Sequence, residues 1–297
     1  MTDQLVQFSD ILAARVESTK STAVAIRLAH ARFVTGIVWQ SDVIVASEQS
    51  LPRREEFEVV VTGGTVTTAK VAGRDASTNI AVLRLQAPLA SSSITPSEAR
   101  AGAIVIALGA DGTGGASTRL GIVNTVGPEW HSSRGGLIDR CIVLDVRLAR
   151  SEEGGPIFDA GGNCIGMSTF GPRGQILVIP TTTIDRIVPM LLKDGRVARG
   201  WLGVTLQAVA VPDALREAAD QSSGLMVMSV LENSPAAQAG VLAGDIILSV
   251  DGNTTHRFRK IARHFGSESI GRKADLRLIR SGTVITVKTT IAERPAA

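Results

Sequence analysis

The stretch RSEEGGPIF, residues 150–158, places two adjacent carboxylates directly before a Gly-Gly-Pro turn. Such a turn packs closely against its surroundings and could display Glu152 or Glu153 for chemistry. Paired carboxyls hydrolyse glycosides when they face each other ~5–9 Å apart across a cleft, whereas neighbours on one turn point in different directions. A hard metal ion needs several converging oxygen ligands, and only Asp145 and Asp159 lie close in sequence. We therefore expect no glycosidase site, no metal and no cofactor here.

Histidine is the side chain that most often moves protons near neutral pH, and this chain contains few of them. The four are His30, His131, His256 and His264. His131 stands in a short loop before the Glu153 segment, where it could act as a base on one of three serines. Those serines are Ser132, Ser151 and Ser168. A surface-loop histidine is the simpler interpretation.

Composition narrows the class of protein further. The formal net charge of +3 is too small and too evenly spread to indicate nucleic-acid binding. Cys141 and Cys164 lack the Cys-x-x-Cys spacing of redox or zinc sites, so we expect buried thiols rather than a disulfide. No apolar run reaches the ~18 residues that span a bilayer, and the first residues do not resemble a signal peptide. The chain as given is expected to be cytoplasmic, or periplasmic if an export signal has been removed.

The elements that would hold such residues are mainly β-strands. Between residues 21 and 180, short runs rich in Val, Ile and Thr recur about every ten residues, separated by turn residues. A dozen such strands with almost no helix between them predict a pair of antiparallel barrels or sandwiches. Residues 182–194 have helical periodicity with Gly195 as the stop. A second module of mixed helices and strands begins at Trp201.

These patterns predict five segments. They are an N-terminal helical segment at 1–20, a double β-barrel at 21–192, a linker at 193–200, an α+β module of five or six strands at 201–292, and a frayed tail at 293–297.

Several long motifs, in a consistent order, resemble one family across nearly the whole chain. RGWLGV and SPAAQAGVLAGDIILSVDG are similar to the opening and centre of bacterial PDZ domains. AKVAGRDASTNIAVLRL and LDVRLARSEEGGPIFDAGGNCIGM resemble the segments that carry the aspartate and the serine of trypsin-like proteases. The chain thus resembles HtrA (Deg-type) proteases, which implies a trypsin-like double antiparallel β-barrel followed by one PDZ domain.

The resemblance assigns the three catalytic positions to residues that differ from the usual Ser-His-Asp triad. By this resemblance, Gln49 stands where the family has its histidine, Asn79 where it has its aspartate and Glu153 where it has its serine. Acyl transfer needs a hydroxyl or thiol and an imidazole oriented by a carboxylate, and Gln49 neither takes nor gives a proton near neutral pH.

By the same resemblance, the turn that forms the family's oxyanion hole corresponds to Ser151, Glu152 and Gly154. A charge on Glu153 would oppose an oxyanion ~4–5 Å away by roughly 3–4 kcal/mol at an effective dielectric of about 20. We therefore expect a vacant anion site whose amides donate to Glu153. The sequence thus predicts a pseudoprotease that is not an enzyme, and the alternative is an active HtrA-like endopeptidase with an unconventional catalytic site.

The PDZ resemblance implies a peptide-binding groove, because PDZ domains add an extended C-terminal peptide to a sheet edge. Its carboxylate nest would be Trp201, Leu202, Gly203 and Val204, and its second wall a helix with Ile261 and Phe265. Closing the domain's own core is the other role these residues could have.

The predicted function is to bind peptides or protein C-termini as a scaffold, chaperone-like holder or regulator of an active HtrA relative. In relatives the N-terminal segment makes trimer contacts, so Leu5, Phe8 and Leu12 suggest a homotrimer.

Overall fold

A computed structural model describes residues 2–29, 32–89, 94–254 and 263–295. Alternating apolar residues build the first of its two barrels. The barrel is closed and antiparallel, in the order β1-β2-β3-β6-β5-β4. Its strands are β1 (Ala23–Arg27), β2 (Phe33–Gln40), β3 (Val43–Ser47), β4 (Glu56–Val60), β5 (Val66–Asp75) and β6 (Ile80–Leu85). Ile26, Ile44 and Leu83 are fully buried in its core, and each such side chain stabilises the fold by ~1.5–3 kcal/mol.

A second closed barrel follows, in the order β11-β14-β13-β12-β7-β8. Its strands are β7 (Ile104–Ala110), β8 (Ala116–Gly127), β11 (Cys141–Asp145), β12 (Pro156–Asp159), β13 (Cys164–Phe170) and β14 (Ile176–Pro180), while β9 (Trp130–His131) and β10 (Leu137–Ile138) form a separate two-stranded sheet. These two six-stranded barrels confirm the predicted double-barrel fold. Closure of a barrel removes the exposed edges of its strands.

Two helices pack on the barrels. Helix α1 (Thr2–Thr19) places Leu12 and Val16 against Ile106 and Phe158. Helix α2 (Thr181–Asp194) ends at Gly195, which adopts a left-handed φ of 70°, the usual way to close a helix C-terminus.

The last third of the chain forms the second module. Its main sheet has the order β16-β17-β18-β20-β21, with β19 paired to β18, and β15 pairs with β22 in a small separate sheet. The elements are β15 (Gly200–Trp201), β16 (Val204–Ala210), α3 (Arg216–Ala219), β17 (Ser223–Val230), α4 (Pro235–Gln238), β18 (Ile246–Val250), β19 (Asn253–Thr254), β20 (Lys273–Arg280), β21 (Thr283–Thr290) and β22 (Ala292–Glu293). The main sheet has six strands among the described residues, which agrees with the predicted α+β fold class.

The boundaries differ in detail from the predicted ones. The chain divides into two compact units, 1–130 with 138–197 and 131–137 with 198–297. The segment 131–137 therefore groups with the second unit, although sequence order places it inside the barrels. Helix α2 continues to Asp194, into the predicted linker, and Glu293 of the predicted tail pairs with Gly200. Backbone hydrogen bonds extend both elements beyond the point where the apolar pattern stops.

Among the described residues, no helix is both long and apolar enough to cross a bilayer. Both cysteines are free, Cys141 half-buried and Cys164 buried. Burial raises the pKa of the Cys164 thiol to about 12, which keeps it protonated and unreactive at neutral pH.

Candidate functional site

The Gly-Gly-Pro turn lies against the first barrel. Residues Arg150–Glu152 form one turn of 3-10 helix, after which Glu153 returns to an extended conformation. Gly154 has a φ of 86°, and a Cβ there would lie 2.3 Å from the carbonyl oxygen of Thr35, so this position requires glycine. The Thr35 N–H donates to the Glu153 carbonyl at 3.2 Å, and its hydroxyl donates to the Ser151 carbonyl at 2.8 Å. Strand β2 thus fixes the turn in place.

The structure brings the three predicted triad positions together. Gln49 lies in a 3-10 turn directly after β3, and Asn79 stands immediately before β6 with a φ of 60°. The Gln49 side-chain Nε2 donates to Glu153 Oε1 at 2.5 Å, and its backbone N–H donates to Asn79 Oδ1 at 2.8 Å. The three side chains therefore share one hydrogen-bond network.

Glu153 is the acceptor at the centre of that network. Its Oε1 also accepts from Ser47 Oγ at 3.0 Å, Thr169 Oγ1 at 3.1 Å and the Phe170 N–H at 3.4 Å. Ser47 ends β3 of the first barrel and Gln49 lies in the turn after it, whereas Thr169 and Phe170 belong to β13 of the second barrel. Glu153 is only 8% exposed, and the donors that face its side chain compensate for the hydration lost on burial. Glu153 and its donors, the Glu153 network, therefore connect the two barrels.

The predicted vacant oxyanion turn is not formed. The Glu152 N–H donates to the Ala149 carbonyl at 3.0 Å, the Glu153 N–H to the Arg150 carbonyl at 3.4 Å and the Gly154 N–H to the Ser168 carbonyl at 3.0 Å. The physical reason is that the 3-10 turn closes the Glu152 and Glu153 amides onto its own carbonyls, while strand β13 accepts from the Gly154 amide. Glu153 therefore takes its donors from the neighbouring strands instead of from the turn.

Glu152 points away from Glu153 and has a different role. Its Oε1 accepts from Ser117 Oγ at 2.8 Å and Arg119 Nε at 3.0 Å, and its Oε2 accepts from the Ala149 N–H at 2.6 Å. Burial raises the pKa of this carboxyl, but the hydrogen bonds from these three residues outweigh burial, so its pKa lies below the usual value. Glu152 is a buried structural anion that ties the turn to β8.

Ser117 and Arg119 were missed by the sequence interpretation. They precede Glu152 by more than thirty residues and carry no local motif. The signal that could have found them is their alternation on β8, where both side chains face the same side of the strand.

A cleft of about 500 Å³ opens over Glu153. It is lined by Leu28, Arg32, Phe33, Val34, Gln49, Ser50, Arg150, Ser151 and Glu153. The hydroxyls that contact the Glu153 carboxylate belong to Ser47 and Thr169, and both residues are buried. The three predicted triad positions thus hold an amide, an amide and a carboxylate, and they do not supply the hydroxyl and imidazole of a Ser-His-Asp site.

The alternative site at His131 stays a prediction. His131 belongs to the second compact unit, whereas Ser151 and Ser168 belong to the first. Ser168 Oγ donates to the Glu152 carbonyl at 3.2 Å, and Ser132 Oγ accepts from the Arg134 and Gly136 amides at 3.2 and 3.3 Å. These hydroxyls therefore stabilise turns.

A second candidate site lies in the module after Trp201. Gly203 has a φ of 79°, and a Cβ on it would lie 2.2 Å from Ser234 Cβ. The Leu202 carbonyl accepts from the Ala236 N–H at 2.9 Å, and the Gly203 carbonyl from the Leu231 N–H at 2.8 Å. Because a trans peptide points its N–H opposite to its C=O, the amides of Gly203 and Val204 point away from the module's interior. Successive amides that point to one side in this way are typical of an anion-binding nest, and Gly203 and Val204 are called the nest below.

A pocket of about 260 Å³ adjoins this nest. It is lined by Arg134, Gly135, Arg199, Gly200, Trp201, Leu202, Gly203, Val204, Leu206, Phe265 and Arg294. The predicted residues Trp201 to Val204 and Phe265 thus lie together, whereas Ile261 is outside the described residues. In the described part of the main sheet, β16 pairs with β17 alone, which leaves its other edge open.

Comparison with known proteins identifies both parts of the chain. Residues 34–167 match the trypsin-like peptidase domain family, and residues 200–291 match the PDZ domain family. A "Probable periplasmic serine endoprotease DegP-like" of Brucella suis is 32% identical over 87% of this chain and 52% of that protein. A protein of the same name in Bartonella henselae is 30% identical over 97% of this chain and 58% of that protein. The chain spans about half the length of these curated relatives.

Solved structures show the same fold. "HtrA-type protease AlgW with decapeptide" superposes with a TM-score of 0.71 at 23% identity, covering 96% of this chain and 99% of that chain. The serine endoprotease from Yersinia pestis superposes with a TM-score of 0.69 at 24% identity, covering 95% of this chain and 97% of that chain.

The relatives' names contradict the prediction that this chain is not an enzyme. That prediction relied on the residues at three positions, whereas the proteins similar over most of the chain are named serine endoproteases. Residue types at the expected positions do not establish inactivity, because unrelated arrangements can support the same chemistry.

Proposed function

We propose that this chain binds polypeptide C-termini through its PDZ domain. The premise is that it is HtrA-type, with a trypsin-like peptidase domain and one PDZ domain. It would act as a scaffold, a chaperone-like holder or a regulator of an active HtrA relative. The bound peptide extends the main sheet as an extra strand along β16, and its terminal carboxylate enters the nest at Gly203 and Val204.

The observation that carries this proposal is the open edge of β16 beside the nest. Leu202 and Gly203 turn their carbonyls into the domain, so the amides on the opposite side are available to an anion. Trp201, Leu206 and Phe265 line the adjoining pocket and provide apolar surface for the last side chain of a peptide. Backbone pairing would supply affinity, and this pocket would supply specificity.

Fluorescence anisotropy with a labelled peptide tests the proposal. A peptide that ends in an apolar residue with a free carboxylate is compared with the same peptide amidated at its C-terminus. We expect the free acid to bind the full chain and the amide to bind at least about tenfold more weakly, because the nest loses its anion. Equal affinity of the two peptides, or no binding of either, would refute C-terminal recognition.

Compartment and assembly belong to the same proposal. The relatives' names place those proteins in the periplasm, which favours the periplasmic alternative for this chain over the cytoplasmic one. A homotrimer is supported by helix α1, where Leu5 is 72% exposed and Phe8 is 42% exposed. Exposed apolar side chains on one helix are typical of a surface that another chain covers.

Endopeptidase activity is the second candidate function, and the observation that favours it is the set of relatives named serine endoproteases. In the cleft, two described hydroxyls contact a base, since Ser47 Oγ and Thr169 Oγ1 lie 3.0 and 3.1 Å from Glu153 Oε1. A carboxylate can act as a general base on a hydroxyl, although at neutral pH it is a weaker base than imidazole. Ser47 is buried, so a substrate would reach it only if the cleft opens.

A fluorescent casein assay tests this second candidate. If Ser47 and Glu153 hydrolyse peptides, Ser47→Ala and Glu153→Gln each abolish turnover by the purified chain. Turnover that survives both substitutions but disappears with His131→Ala assigns the activity to His131. The variant Glu153→Ser monitors contaminating protease, since a contaminant's rate is the same in every preparation.

A further inference from the structure

A pocket with mainly basic walls lies on the first barrel, in the loop before β4 and on β5. It measures about 540 Å³ and is lined by Arg53, Arg54, Glu55, Lys70, Val71 and Arg74. We call it the Arg54 pocket. It shares no described lining residue with the cleft over Glu153 or with the pocket beside the nest. Val71 is the one apolar residue in its described lining, so the pocket offers little surface to an apolar ligand.

Arg74 is the most buried of the four cations and holds the loop in place. Its side chain is 11% exposed. Its guanidinium donates to three carbonyls of the loop, those of Leu51, Pro52 and Arg54, at 3.3, 2.7 and 3.3 Å. These bonds fix the backbone that carries two of the other cations, so this wall of the pocket has a defined position.

The surroundings of Arg74 do not fully compensate its charge. Glu48 Oε1 lies 3.9 Å from Arg74 and 3.6 Å from Arg53, so two cations share one carboxylate. Burial lowers the pKa of the Arg74 guanidinium, Glu48 raises it and Arg53 lowers it, and the result lies below the ordinary value. A cation whose pKa is lowered stands in surroundings that disfavour its charge, and a bound anion would offset this.

Arg54 and Lys70 add further positive charge to the pocket. Lys70 stands opposite Glu56 in the pairing of β4 with β5, but within the described residues neither Arg54 nor Lys70 forms an ion pair with a carboxylate. Glu55 is the one carboxylate in the described lining. Positive charge therefore exceeds negative charge in this pocket, even with Glu48 counted.

A phosphate group matches this arrangement better than a single carboxylate does. At pH 7 a phosphate monoester carries ~1.5–2 negative charges in one compact group, whereas a carboxylate carries one. It can therefore contact Arg54 and Lys70 together. A guanidinium binds phosphate oxygens with two parallel hydrogen bonds, and an ammonium binds them as a point charge.

We propose that the Arg54 pocket binds the phosphate group of a polar ligand, which is either a soluble phosphate compound or a phospholipid headgroup. Arg54 and Lys70 contact the phosphate, and the charge of Arg74 adds to their attraction. This site is separate from the PDZ domain and does not depend on C-terminal recognition.

Isothermal titration calorimetry of the full chain with pyrophosphate tests the proposal. Citrate at the same ionic strength is the comparison, because its charge is divided among three separate carboxylates. We expect saturable binding of pyrophosphate that is at least about threefold tighter than that of citrate. Higher salt should weaken it, because charges near the surface are screened.

Variants identify the residues that bind. Arg54→Gln and Lys70→Gln are each expected to weaken pyrophosphate binding about two- to fivefold, and Arg54→Lys to retain part of the affinity. Both side chains are exposed, so neither substitution leaves a buried group without a partner. Lys273→Gln is the matched control, since Lys273 is also an exposed strand lysine but lies in the second unit, and it should leave binding unchanged.

Sedimentation with vesicles distinguishes the two sources of phosphate. Binding to phosphatidylglycerol vesicles, but not to phosphatidylcholine vesicles, that weakens in Arg54→Gln and Lys70→Gln identifies a headgroup. Pyrophosphate binding without vesicle binding identifies a soluble phosphate compound.

Three results would refute the proposal. The first is that the parent chain binds neither pyrophosphate nor phosphatidylglycerol vesicles. The second is that citrate binds as tightly as pyrophosphate, which would mean attraction by charge alone. The third is that binding is the same in Arg54→Gln, Lys70→Gln and the parent, or falls equally in Lys273→Gln, since the Arg54 pocket would then not be the site.

Discussion

At the scale of single residues, the two adjacent glutamates of the Gly-Gly-Pro turn have separate surroundings. Glu152 contacts Arg119 and Ser117 on β8, and Glu153 contacts side chains from both barrels. Each carboxylate is buried, and a buried anion persists only where donors compensate for its lost hydration. Both residues therefore stabilise the fold of the turn, and Glu153 also lines the cleft.

Removing the Glu153 carboxylate should weaken the contact between the barrels. We expect Glu153→Ala to lower the free energy of unfolding of the first unit by ~2–3 kcal/mol, because Gln49, Ser47 and Thr169 lose their shared acceptor. Urea unfolding in a Trp201→Phe background measures this, since Trp39 and Trp130 then report on the first unit alone. A Glu153→Ala chain as stable as its parent would contradict this role of the Glu153 network.

A double-mutant cycle with Gln49→Ala isolates the contact at the centre of that network. We expect a coupling energy of about 1 kcal/mol between the two positions, which is typical of residues that share a hydrogen bond. Additive effects would mean that Gln49 and Glu153 stabilise the fold independently.

Glu152 should make stability depend on pH in the acid range. Its pKa in the folded state lies below the ordinary value because of the bonds from Ala149, Ser117 and Arg119, which outweigh burial. A lowered folded-state pKa stabilises the fold above the unfolded-state value of about 4.3, and the contribution is lost as pH falls through the folded-state pKa.

We therefore expect the stability difference between the parent chain and Glu152→Gln to be largest near neutral pH, at ~1.5–3 kcal/mol. The difference should shrink steadily below about pH 4.3. Urea unfolding at a series of pH values measures it, and a constant difference across that range would contradict the lowered pKa.

At the scale of elements, the segment before β16 is the critical one for binding. Gly203 combines a φ of 79° with a Cβ position only 2.2 Å from Ser234 Cβ. We expect Gly203→Ala to weaken binding of a free-acid peptide at least about tenfold, because the backbone must shift and the two amides with it. Anisotropy titration measures the change.

Gly240 provides the matched control for this substitution. It has a φ of 74° but nothing within 4 Å of a Cβ. Gly240→Ala should therefore cost only the strain of a left-handed residue, ~1–2 kcal/mol, and leave peptide affinity unchanged. Equal loss of binding in both variants would show that strain in the module, and not the nest, controls affinity.

At the scale of the whole molecule, helix α1 determines the expected assembly. Leu12 and Val16 pack on the second barrel, whereas Leu5, Val6 and Ile11 are each more than half exposed. The apolar side chains of this helix are thus only partly covered by the chain itself. Apolar surface left in water favours association.

We expect light scattering of the full chain to give the mass of a trimer. Phe8→Asp should lower the measured mass to that of a monomer, because a charge on the exposed face of α1 is costly to bury. Leu242→Asp is the control, since Leu242 is also exposed, at 55%, but lies in the second unit. A monomeric parent chain at high concentration would refute trimer formation through α1.

Much of the fold could be predicted from the sequence because the relevant patterns are local. Alternating strands and the Gly195 helix stop each depend on a few neighbouring residues, and long ordered motifs carried the family resemblance. The candidate site was predicted in part. Trp201 to Val204 and Phe265 lie together as expected, whereas Ile261 is outside the described residues.

Only the tertiary structure decided what the two glutamates contact. Gln49 and Glu153 are 104 residues apart, and Arg119 and Glu152 are 33 apart, so no local pattern relates them. Whether the turn amides form an anion site depended on the 3-10 closure of Arg150–Glu152. The sequence by itself determined the strands, the turns and the order of the domains, since these follow from short-range backbone preferences and side-chain periodicity. Which donors reach a buried carboxylate depends on how closed barrels bring distant strands together, and that is a property of packing.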